Sequence, residues 1–466
     1  MPLAEQNLTL AVKYLIKRAP VFVDADATVG DAAKVMQRAQ IGSVLVADDP
    51  PGIITDRDLR GRVLAAGEGS TTPARRVMTR PLKTLDSDAP VFDALRLMLD
   101  ENIHHLVLVE EGKIVGLVSA SDLLHFQAGS PFFLQRTLED LEDSGVVVHY
   151  AREIEAIVES LFHGGLSATE IGRIVSSLND TLVKRLVRIA QRKLGAAPTD
   201  FAWIVFGSEG RFEQTLLTDQ DNALVYGDAS ETAHAYFAAL AQQVVDGLIQ
   251  VGFPPCAGGF MATRWCKPLA EWCELFTAWI RTPQPQALLD AATLFDFRVA
   301  AGGLPLTPLE TILAGAREEK VFIAQLVNDA LGFGPPLGLF GRIRAEHGRI
   351  DLKKSGLLPI VGLARAVALA SGSRERSTLE RLKAVGKSGT ILSPGDTSSL
   401  AEIFQFLQFL RLRRQLAALE ANQPLDHCVH VSMLSTLEHR RLKDGFVMLK
   451  RIQAGIRATL PIGRMG

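Results

Sequence analysis

The first 130 residues contain one hydrophobic pattern twice. Asp26–Ala32 aligns with Asp88–Ala94 at an offset of 62 residues. In each copy, apolar residues at helical spacing precede a short apolar run, a polar turn and a second apolar run, a pattern that predicts a helix followed by two strands. The predicted helices cover 29–40 and 91–101, and the first strands cover 43–47 and 106–109. Two such units stacked together would bury one shared core.

The hydrophobic pattern changes twice more along the chain. Apolar residues keep a helical spacing through 131–194. A wholly apolar run, Phe201–Phe206, and a second short run, Asn222–Tyr226, then predict strands. A helical pattern follows over 231–251, and beyond Leu304 the long apolar patterns are all helical, as in 357–371 and 400–419.

These patterns predict an α/β multidomain protein in three parts. The repeat pair occupies 1–130, with its copies over 15–66 and 78–127. A mixed α/β domain with a helical lead-in occupies 131–304, and an all-α domain occupies 305–466.

Charge and composition exclude several classes of protein. The 466 residues include 50 Lys and Arg and 52 Asp and Glu, a net charge of −2, which argues against a protein that coats nucleic acid. No apolar run approaches the roughly 18 residues of a membrane-spanning helix, and the N-terminus lacks the residue order of a secretory signal peptide. The four cysteines form no CxxC pair. We therefore expect a soluble cytoplasmic protein without a nucleic-acid or membrane partner.

Each repeat places a hydroxyl residue three positions before an aspartate at the end of its second predicted strand. The pairs are Thr55 with Asp58 and Ser119 with Asp122. This spacing makes an ordinary helix capping box, but a helix N-terminus beside a carboxylate also suits a phosphate and a ribose diol. The occurrence of the pair in both repeats favours ligand binding.

The repeat pair resembles the tandem CBS-domain module over about residues 15–127. The resemblance implies a regulatory module for signal transduction that binds an adenine nucleotide in the clefts between the repeats. Thr55, Asp58, Ser119 and Asp122 would then contact its ribose and phosphate. We also expect a homodimer through these domains. One imidazole of His104 and His105 is expected near the cleft, because neighbouring residues of a strand face opposite sides.

The strongest chemical signal is Gly207-Ser208-x-Gly210-Arg211 followed by Asp219-x-Asp221. Aspartates two apart at the start of a strand share a face, and such a pair suits Mg²⁺, which binds carboxylates together with substrate phosphates. The glycines allow close backbone approach, while the Ser208 hydroxyl and the Arg211 charge would cradle a triphosphate. Either half alone is more often a turn or a strand cap, but together they favour Mg²⁺-dependent nucleotidyl transfer.

The combination resembles the nucleotidyltransferases of the DNA polymerase β superfamily. More narrowly, it is similar to a domain often fused behind CBS pairs in bacteria and related to the protein uridylyltransferase of nitrogen regulation. The resemblance covers nearly all of 140–460, including Asp351–Pro359 and Arg411–Arg414 in the helical tail. It implies that Gly207, Ser208, Gly210 and Arg211 hold the nucleotide and that Asp219 and Asp221 hold Mg²⁺.

Members of this superfamily often use a third carboxylate. Asp296 is the best candidate, and Glu271 and Asp290 are weaker ones, although all three also fit surface or helix-cap acids. Arg411, Arg413 and Arg414 fit a solvated helix face or a contact to an acidic substrate or phosphate.

The sequence therefore predicts a CBS-regulated nucleotidyltransferase that uses Mg²⁺ and an NTP such as ATP. It would transfer the NMP group to a protein side chain or a small hydroxyl compound and respond to adenine nucleotides. The alternative is a non-catalytic nucleotide-sensing or scaffold protein with a degenerate transferase fold. The complete Asp-x-Asp pair favours the enzyme, and the lack of an obvious third acid favours the alternative.

Overall fold

The computed structural model describes residues 11–16, 18–124, 131–140, 150–216, 219–256, 258–338, 341–389 and 391–459. The chain divides into two compact units, Met1–Phe133 with His163–Leu166 and Leu134–Phe162 with Ser167–Gly466. The predicted end of the second repeat at 127 and part of the helical lead-in, 141–149, lie outside the described residues. None of the helices in the described ranges combines the length and hydrophobicity that crossing a bilayer requires.

The first unit contains two three-stranded sheets of the same design. In each sheet the middle strand pairs parallel with the first strand and antiparallel with the third. The first repeat comprises β1 (Phe22–Asp24), α1 (Val29–Ala39), β2 (Ser43–Ala47), β3 (Gly52–Thr55), α2 (Asp56–Asp58) and α3 (Ala74–Val77). The second comprises β4 (Thr84–Asp86), α4 (Val91–Glu101), β5 (His105–Glu110), β6 (Lys113–Ser119) and α5 (Ala120–Leu124).

The two repeats also share the local signals that end their helices. Helix α1 ends at Gln40 and α4 at Asn102, both in the left-handed conformation with φ near +50°. A residue in this conformation ends a helix, and the chain then leads into the next strand. Helix α1 buries Ala32 and Met36 against Val44, Val46 and Ile54 of the sheet, which forms the core of the first repeat.

The second unit begins with helices that lead into a four-stranded sheet of order β10-β7-β8-β9. Strand β7 pairs antiparallel with β8 and β10, and β8 pairs parallel with β9. The helices and strands are α6 (Pro131–Asp140), α7 (Tyr150–His163), α8 (Ala168–Leu194), β7 (Phe201–Val205), α9 (Gly207–Gly210), β8 (Asn222–Tyr226), α10 (Glu231–Gln250), β9 (Cys266–Pro268), α11 (Leu269–Arg281), α12 (Pro285–Leu294) and β10 (Arg298–Gly302).

Strands β7 and β8 are buried at every position, which explains why they are apolar throughout, apart from Asn222 at the start of β8, rather than alternating. Tyr226 stacks on Phe237 of α10 with ring centroids 4.8 Å apart. Ile204 and Val225 instead join the cluster that includes Trp272 of α11. Helices therefore cover both faces of these strands, and polar groups are admitted only where the strands end.

The remainder of the second unit is helical, as predicted, with one addition. A short antiparallel ribbon pairs Arg349–Asp351 with Cys428–His430, and strands of three residues are too short to show a period in the sequence. The elements are α13 (Thr307–Gly315), α14 (Lys320–Gly332), β11 (Arg349–Asp351), α15 (Leu358–Ala370), α16 (Thr378–Ser388), α17 (Pro394–Glu420), β12 (Cys428–His430) and α18 (Thr436–Thr459). Their apolar side chains form one cluster with those of the sheet.

Candidate functional site

The turn after β7 lies so close to neighbouring groups that two of its positions require glycine. Gly207 has φ +58°, and a Cβ there would lie 2.5 Å from Oδ2 of Asp221. A Cβ at Gly210 would lie 2.1 Å from the backbone oxygen of Asp296. Neither contact leaves room for a side chain, so the two glycines bring the turn against Asp221 on one side and Asp296 on the other.

Asp219 and Asp221 lie on the same side of the chain just before β8. Gln220 between them is buried, whereas Asp219 is exposed and Asp221 half-buried. One carboxylate oxygen of each aspartate and the Sγ of Cys256 all lie within 4.8 Å of one another. In the described part of the chain, no other His, Cys, Asp or Glu completes such a cluster.

The electrostatics of this cluster favour a bound cation. Burial raises the pKa of Asp221 to about 6, and the negative charge of Asp219 adds to the rise. Burial also raises the pKa of the Cys256 thiol, which donates a hydrogen bond to Oδ1 of Asp221 at 3.3 Å. Cys256 therefore acts as a hydrogen-bond donor, and the two carboxylates are the hard oxygen ligands that suit Mg²⁺.

Glu209 is a further acid of this site that the sequence analysis did not single out. It is 8% exposed, and burial raises its pKa to about 8, with Asp180 and Asp221 adding to the rise and Arg298 opposing it. Its carboxyl is therefore protonated at neutral pH. It occupies the unspecified position of Gly-Ser-x-Gly, and no local pattern marks it as buried.

Arg211 is engaged by two carboxylates of the same unit. Its Nε donates to Glu213 at 2.7 Å and its Nη1 to Asp296 at 2.6 Å. Burial would lower the pKa of Arg211, but Glu213 and Asp296 outweigh burial and raise it. These ion pairs do not favour the predicted contact of Arg211 with a triphosphate and instead point to a role in positioning the turn.

Asp296 is fully buried and binds guanidinium groups from two further helices. Arg365 of α15 donates to both of its oxygens, at 2.9 and 2.6 Å, and Arg381 of α16 lies 2.7 Å away. Burial would raise the pKa of Asp296, but these arginines and Arg211 together hold it well below its ordinary range. An acid committed to three cations is unsuited to bind a metal, so Asp296 is not supported as the third catalytic carboxylate.

The two weaker candidates for that role lie on exposed helix faces. Glu271 pairs with Lys267 at 2.9 Å, and Asp290 accepts a hydrogen bond from Gln286 at 2.9 Å.

Groups from the C-terminal part of the second unit act on the loop between α9 and β8 and on Asp221. Thr215, in the loop that joins α9 to β8, donates to Gln415 of α17 at 3.3 Å. One turn earlier on α17, Arg411 is buried and donates to Nδ1 of His427 at 3.2 Å, so it is not part of a solvated helix face. Lys353 is exposed, and its positive charge acts to lower the pKa of Asp221.

The first unit contains a cavity of about 400 Å³ that is lined by Ser119 and Asp122. The Ser119 hydroxyl donates to Asp122 at 2.5 Å, and the Ser119 backbone N–H donates to the same oxygen at 2.9 Å. His105 also lines the cavity, as expected for one of the two adjacent imidazoles. Burial lowers its pKa to about 4, and His104 contributes to the shift, so His105 is neutral at pH 7.

The corresponding residues of the first repeat do not line this cavity. Thr55 and Asp58 form the reciprocal capping box, and Asp58 is 8% exposed. Its second oxygen accepts a hydrogen bond from Thr79 at 3.3 Å and pairs with Arg62 at 3.4 Å. The two repeats therefore differ in how accessible their aspartates are.

Comparison with known proteins identifies both repeats as CBS domains. The family model "CBS domain" matches 12–65 and 74–129. A CBS domain-containing protein of Bacillus subtilis is 31% identical over 115 residues, which cover 24% of this chain and 82% of that protein. An uncharacterized protein of Methanopyrus kandleri is 31% identical over 137 residues, which cover 28% of this chain and 68% of that protein.

The chain belongs to the CBS-domain-containing proteins. Two further family models match beyond the CBS pair. "Putative nucleotidyltransferase DUF294" matches 152–286, and "Putative nucleotidyltransferase substrate binding domain" matches 320–460. The suspected combination of a CBS pair, a nucleotidyltransferase domain and its C-terminal domain is thereby confirmed, together with the α/β multidomain fold.

Among solved structures, a CBS domain protein of Pyrobaculum aerophilum complexed with AMP is 28% identical, covers 24% of this chain and 90% of that chain, and has a TM-score of 0.23.

The structure thus brings Gly207, Asp219 and Asp221 of this CBS-domain protein together and places Ser119 and Asp122 at a cavity. Asp58 does not line that cavity, and Arg211 is bound by the carboxylates of Glu213 and Asp296. The sequence did not predict the role of Cys256, because its contact with Asp221 depends on a loop that lies 35 residues further along the chain.

Proposed function

We propose that this CBS-domain protein is a Mg²⁺-dependent nucleotidyltransferase that moves an NMP group from an NTP to a hydroxyl or other nucleophile of a protein or small molecule. The observation that carries the proposal is the juxtaposition of the Asp219 and Asp221 carboxylates, within one small cluster, with the close turn at Gly207. In the reaction the acceptor oxygen bonds to the α-phosphorus as its proton passes to solvent, the bond from the α-phosphorus to the oxygen that bridges it to the β-phosphorus breaks, and pyrophosphate leaves with the electron pair.

Asp219 and Asp221 would hold the Mg²⁺, which supplies Lewis-acid stabilisation of phosphate charge when bound. The fit is supported by the elevated pKa of Asp221, which reflects burial and a second carboxylate that together outweigh the positive charges of Lys353 and Arg211. Cys256 keeps the Asp221 carboxylate oriented through its hydrogen bond. A protonated Glu209 adds no further negative charge where the triphosphate would enter.

Two groups are suited to contact the triphosphate. The Ser208 hydroxyl makes no hydrogen bond to another described residue and follows directly on Gly207. Lys353 is exposed, and its positive charge acts to lower the pKa of Asp221. Arg211 is better suited to hold the turn through Glu213 and Asp296 than to bind phosphate.

We further propose that an adenine nucleotide binds the cavity at Ser119 and Asp122 and modulates the transferase. A carboxylate beside a hydroxyl at a cavity wall can accept hydrogen bonds from a ribose diol. The first-repeat pair is less suited to this role, because Asp58 is already bound by Thr55, Thr79 and Arg62.

The second candidate function is a non-catalytic nucleotide sensor with a degenerate transferase fold. The observation in its favour is that no third carboxylate joins Asp219 and Asp221 among the described residues.

The deciding experiment incubates the intact protein with each labelled NTP, Mg²⁺ and a cell extract as the source of acceptor, and measures pyrophosphate release and label transfer. Asp219→Asn and Asp221→Asn should each lower turnover at least about 100-fold, in line with the loss of a metal ligand, and should weaken Mn²⁺ binding in a direct titration. Both variants should melt near the wild-type temperature, because they relieve carboxylate repulsion.

Asp290→Asn is the matched control and should behave as wild type, because this half-buried carboxylate of the same unit only accepts a hydrogen bond from Gln286. Turnover within a few-fold of wild type in both site variants would remove the catalytic assignment. Nucleotide binding without any turnover, for every NTP, would favour the sensor.

A further inference from the structure

The cavity at Ser119 and Asp122 has an unusual charge balance for a nucleotide site. Among the described residues that line it, Arg18 is the one cation, and Asp56 and Asp122 are both acidic. His105 contributes no charge at pH 7, because burial holds its pKa near 4. The lining therefore carries a net charge of about −1 before any ligand binds.

Asp56 lies at the cavity wall beside His105. A Cβ built on Gly42 would lie 3.2 Å from Oδ2 of Asp56 and 3.5 Å from Nε2 of His105, so both groups flank the same point. The Asp56 backbone N–H donates to the Gly42 oxygen at 3.0 Å, which fixes this part of the chain. The carboxylate itself has no hydrogen-bond partner among the described residues.

The fold of the repeat does not require an acid at this position. Thr55 corresponds to Ser119, so the residue that corresponds to Asp56 in the second repeat is Ala120. Both residues begin a short helix after the equivalent strand. Since alanine serves the same backbone role, the Asp56 carboxylate is left to act on whatever enters the cavity.

Arg18 is partly committed elsewhere. Its Nη1 donates to the backbone oxygen of Ala39 at 2.6 Å, so it can neutralise only a small part of a polyphosphate. Asp122 is oriented by Ser119 and would be satisfied by ribose hydroxyls. Each phosphate beyond the first would add negative charge to a lining in which the acids Asp56 and Asp122 already outnumber the one cation, Arg18, among the described residues. The cavity volume is also at the small end of the range of roughly 300–1,000 Å³ that is typical of ligand pockets.

We infer that this cleft selects adenine nucleosides with at most one phosphate, adenosine or AMP, over ADP and ATP, and that Asp56 sets the preference. The inference rests on the proposed nucleotide-binding role of the CBS pair and narrows its ligand class. It separates the regulatory ligand from the NTP substrate, so that the two sites do not compete for one molecule.

Calorimetry on the intact protein tests this, with adenosine, AMP, ADP and ATP titrated in EDTA, which removes the metal that the proposed transferase site needs. Heat that disappears in Asp122→Ala is assigned to the cleft. We expect adenosine and AMP to bind more tightly than ADP, and ADP more tightly than ATP. Asp56→Asn should tighten ATP binding by roughly 2- to 5-fold, the range given by partly exposed charge pairs, and leave adenosine unchanged.

Glu110→Gln is the matched control, because Glu110 is exposed at the end of β5 and does not line the cavity. It should leave all four affinities as in wild type. The inference would be overturned if ATP bound the cleft as tightly as AMP does, or if Asp56→Asn left the ratio of ATP to AMP affinity unchanged. Either result would leave the proposed regulatory role of the cleft standing. An absence of cleft binding by all four compounds would overturn both the inference and the proposed regulatory role, while leaving the transferase proposal to its own test.

Discussion

Glu209 is a carboxylic acid held neutral inside the second unit. Burial raises its pKa from 4.5 to about 8, so near pH 7 it is protonated in the folded protein and ionised in the unfolded chain. Its contribution to stability is therefore present in full below about pH 4.5 and is lost as pH rises towards 8. The neighbouring acid Asp221 differs because a cation can reach it, whereas Glu209 has only 8% of its surface exposed.

Glu209→Gln should remove this pH dependence, because an amide has the same shape and does not ionise. The melting temperature of the variant minus that of the wild type should rise between pH 5 and pH 8 and then level off. Thermal melts of both proteins across pH 5–9 measure the difference. Glu271→Gln, which alters an exposed acid of the same unit, is the control for replacing a carboxylate by an amide. A difference for Glu209→Gln that does not change with pH would show that this carboxyl is not held neutral.

At the scale of elements, Asp296 joins the turn after β7 to helices α15 and α16. It does so through Arg211, Arg365 and Arg381. Glu213 adds a second link, because its Oε1 accepts a hydrogen bond from the backbone N–H of Thr378 at 2.7 Å. The turn that carries Ser208 is thereby held by the C-terminal helices as well as by its own sheet.

Asp296→Asn should lower the free energy of unfolding by roughly 3–5 kcal/mol, because it leaves buried guanidinium charges without their partner. Urea unfolding followed by tryptophan fluorescence measures this. Asp426→Asn breaks partly exposed ion pairs with Arg349 and Arg414 and should cost less than about 1 kcal/mol. Equal small losses in the two variants would mean that the buried cluster does not hold these elements together.

At the scale of the whole molecule, the cavity at Ser119 and Asp122 and the acidic cluster at Asp219 and Asp221 lie in separate compact units. Regulation then requires that the ligand of one unit bind better to one state of the intact chain than to another. AMP is the informative effector, because it has no triphosphate to transfer.

AMP should change the rate of the transferase reaction in the intact protein, by roughly 5- to 150-fold if the coupling is of ordinary size. Asp122→Ala should abolish the response without changing the basal rate, because the residue lies in the cavity of the first unit. Steady-state kinetics at a series of AMP concentrations measure this, with Glu110→Gln as the control that should respond as wild type. Identical kinetics with and without AMP, in a protein that calorimetry shows to bind it, would refute the regulation.

The sequence by itself determined the features that depend on neighbouring residues. The repeat gave the two equivalent sheets of the first unit because each copy carries its own helix caps and apolar runs. Strands β7 and β8 were predictable from their short apolar runs, and the glycines at 207 and 210 marked a close turn. The two-residue spacing of Asp219 and Asp221 placed both carboxylates on one side, since alternation along an extended chain is a local property.

The tertiary structure decided which charges are free to act. Arg211 meets Asp296 from 85 positions away and Glu213 meets Thr378 from 165 positions away, and Arg411 is buried beside His427. The same holds for the neutral state of Glu209, the thiol beside Asp221 and the cavity that Ser119 lines and Thr55 does not. Burial and ion pairing depend on what the rest of the chain packs around a side chain, and neither period nor spacing along the sequence encodes that.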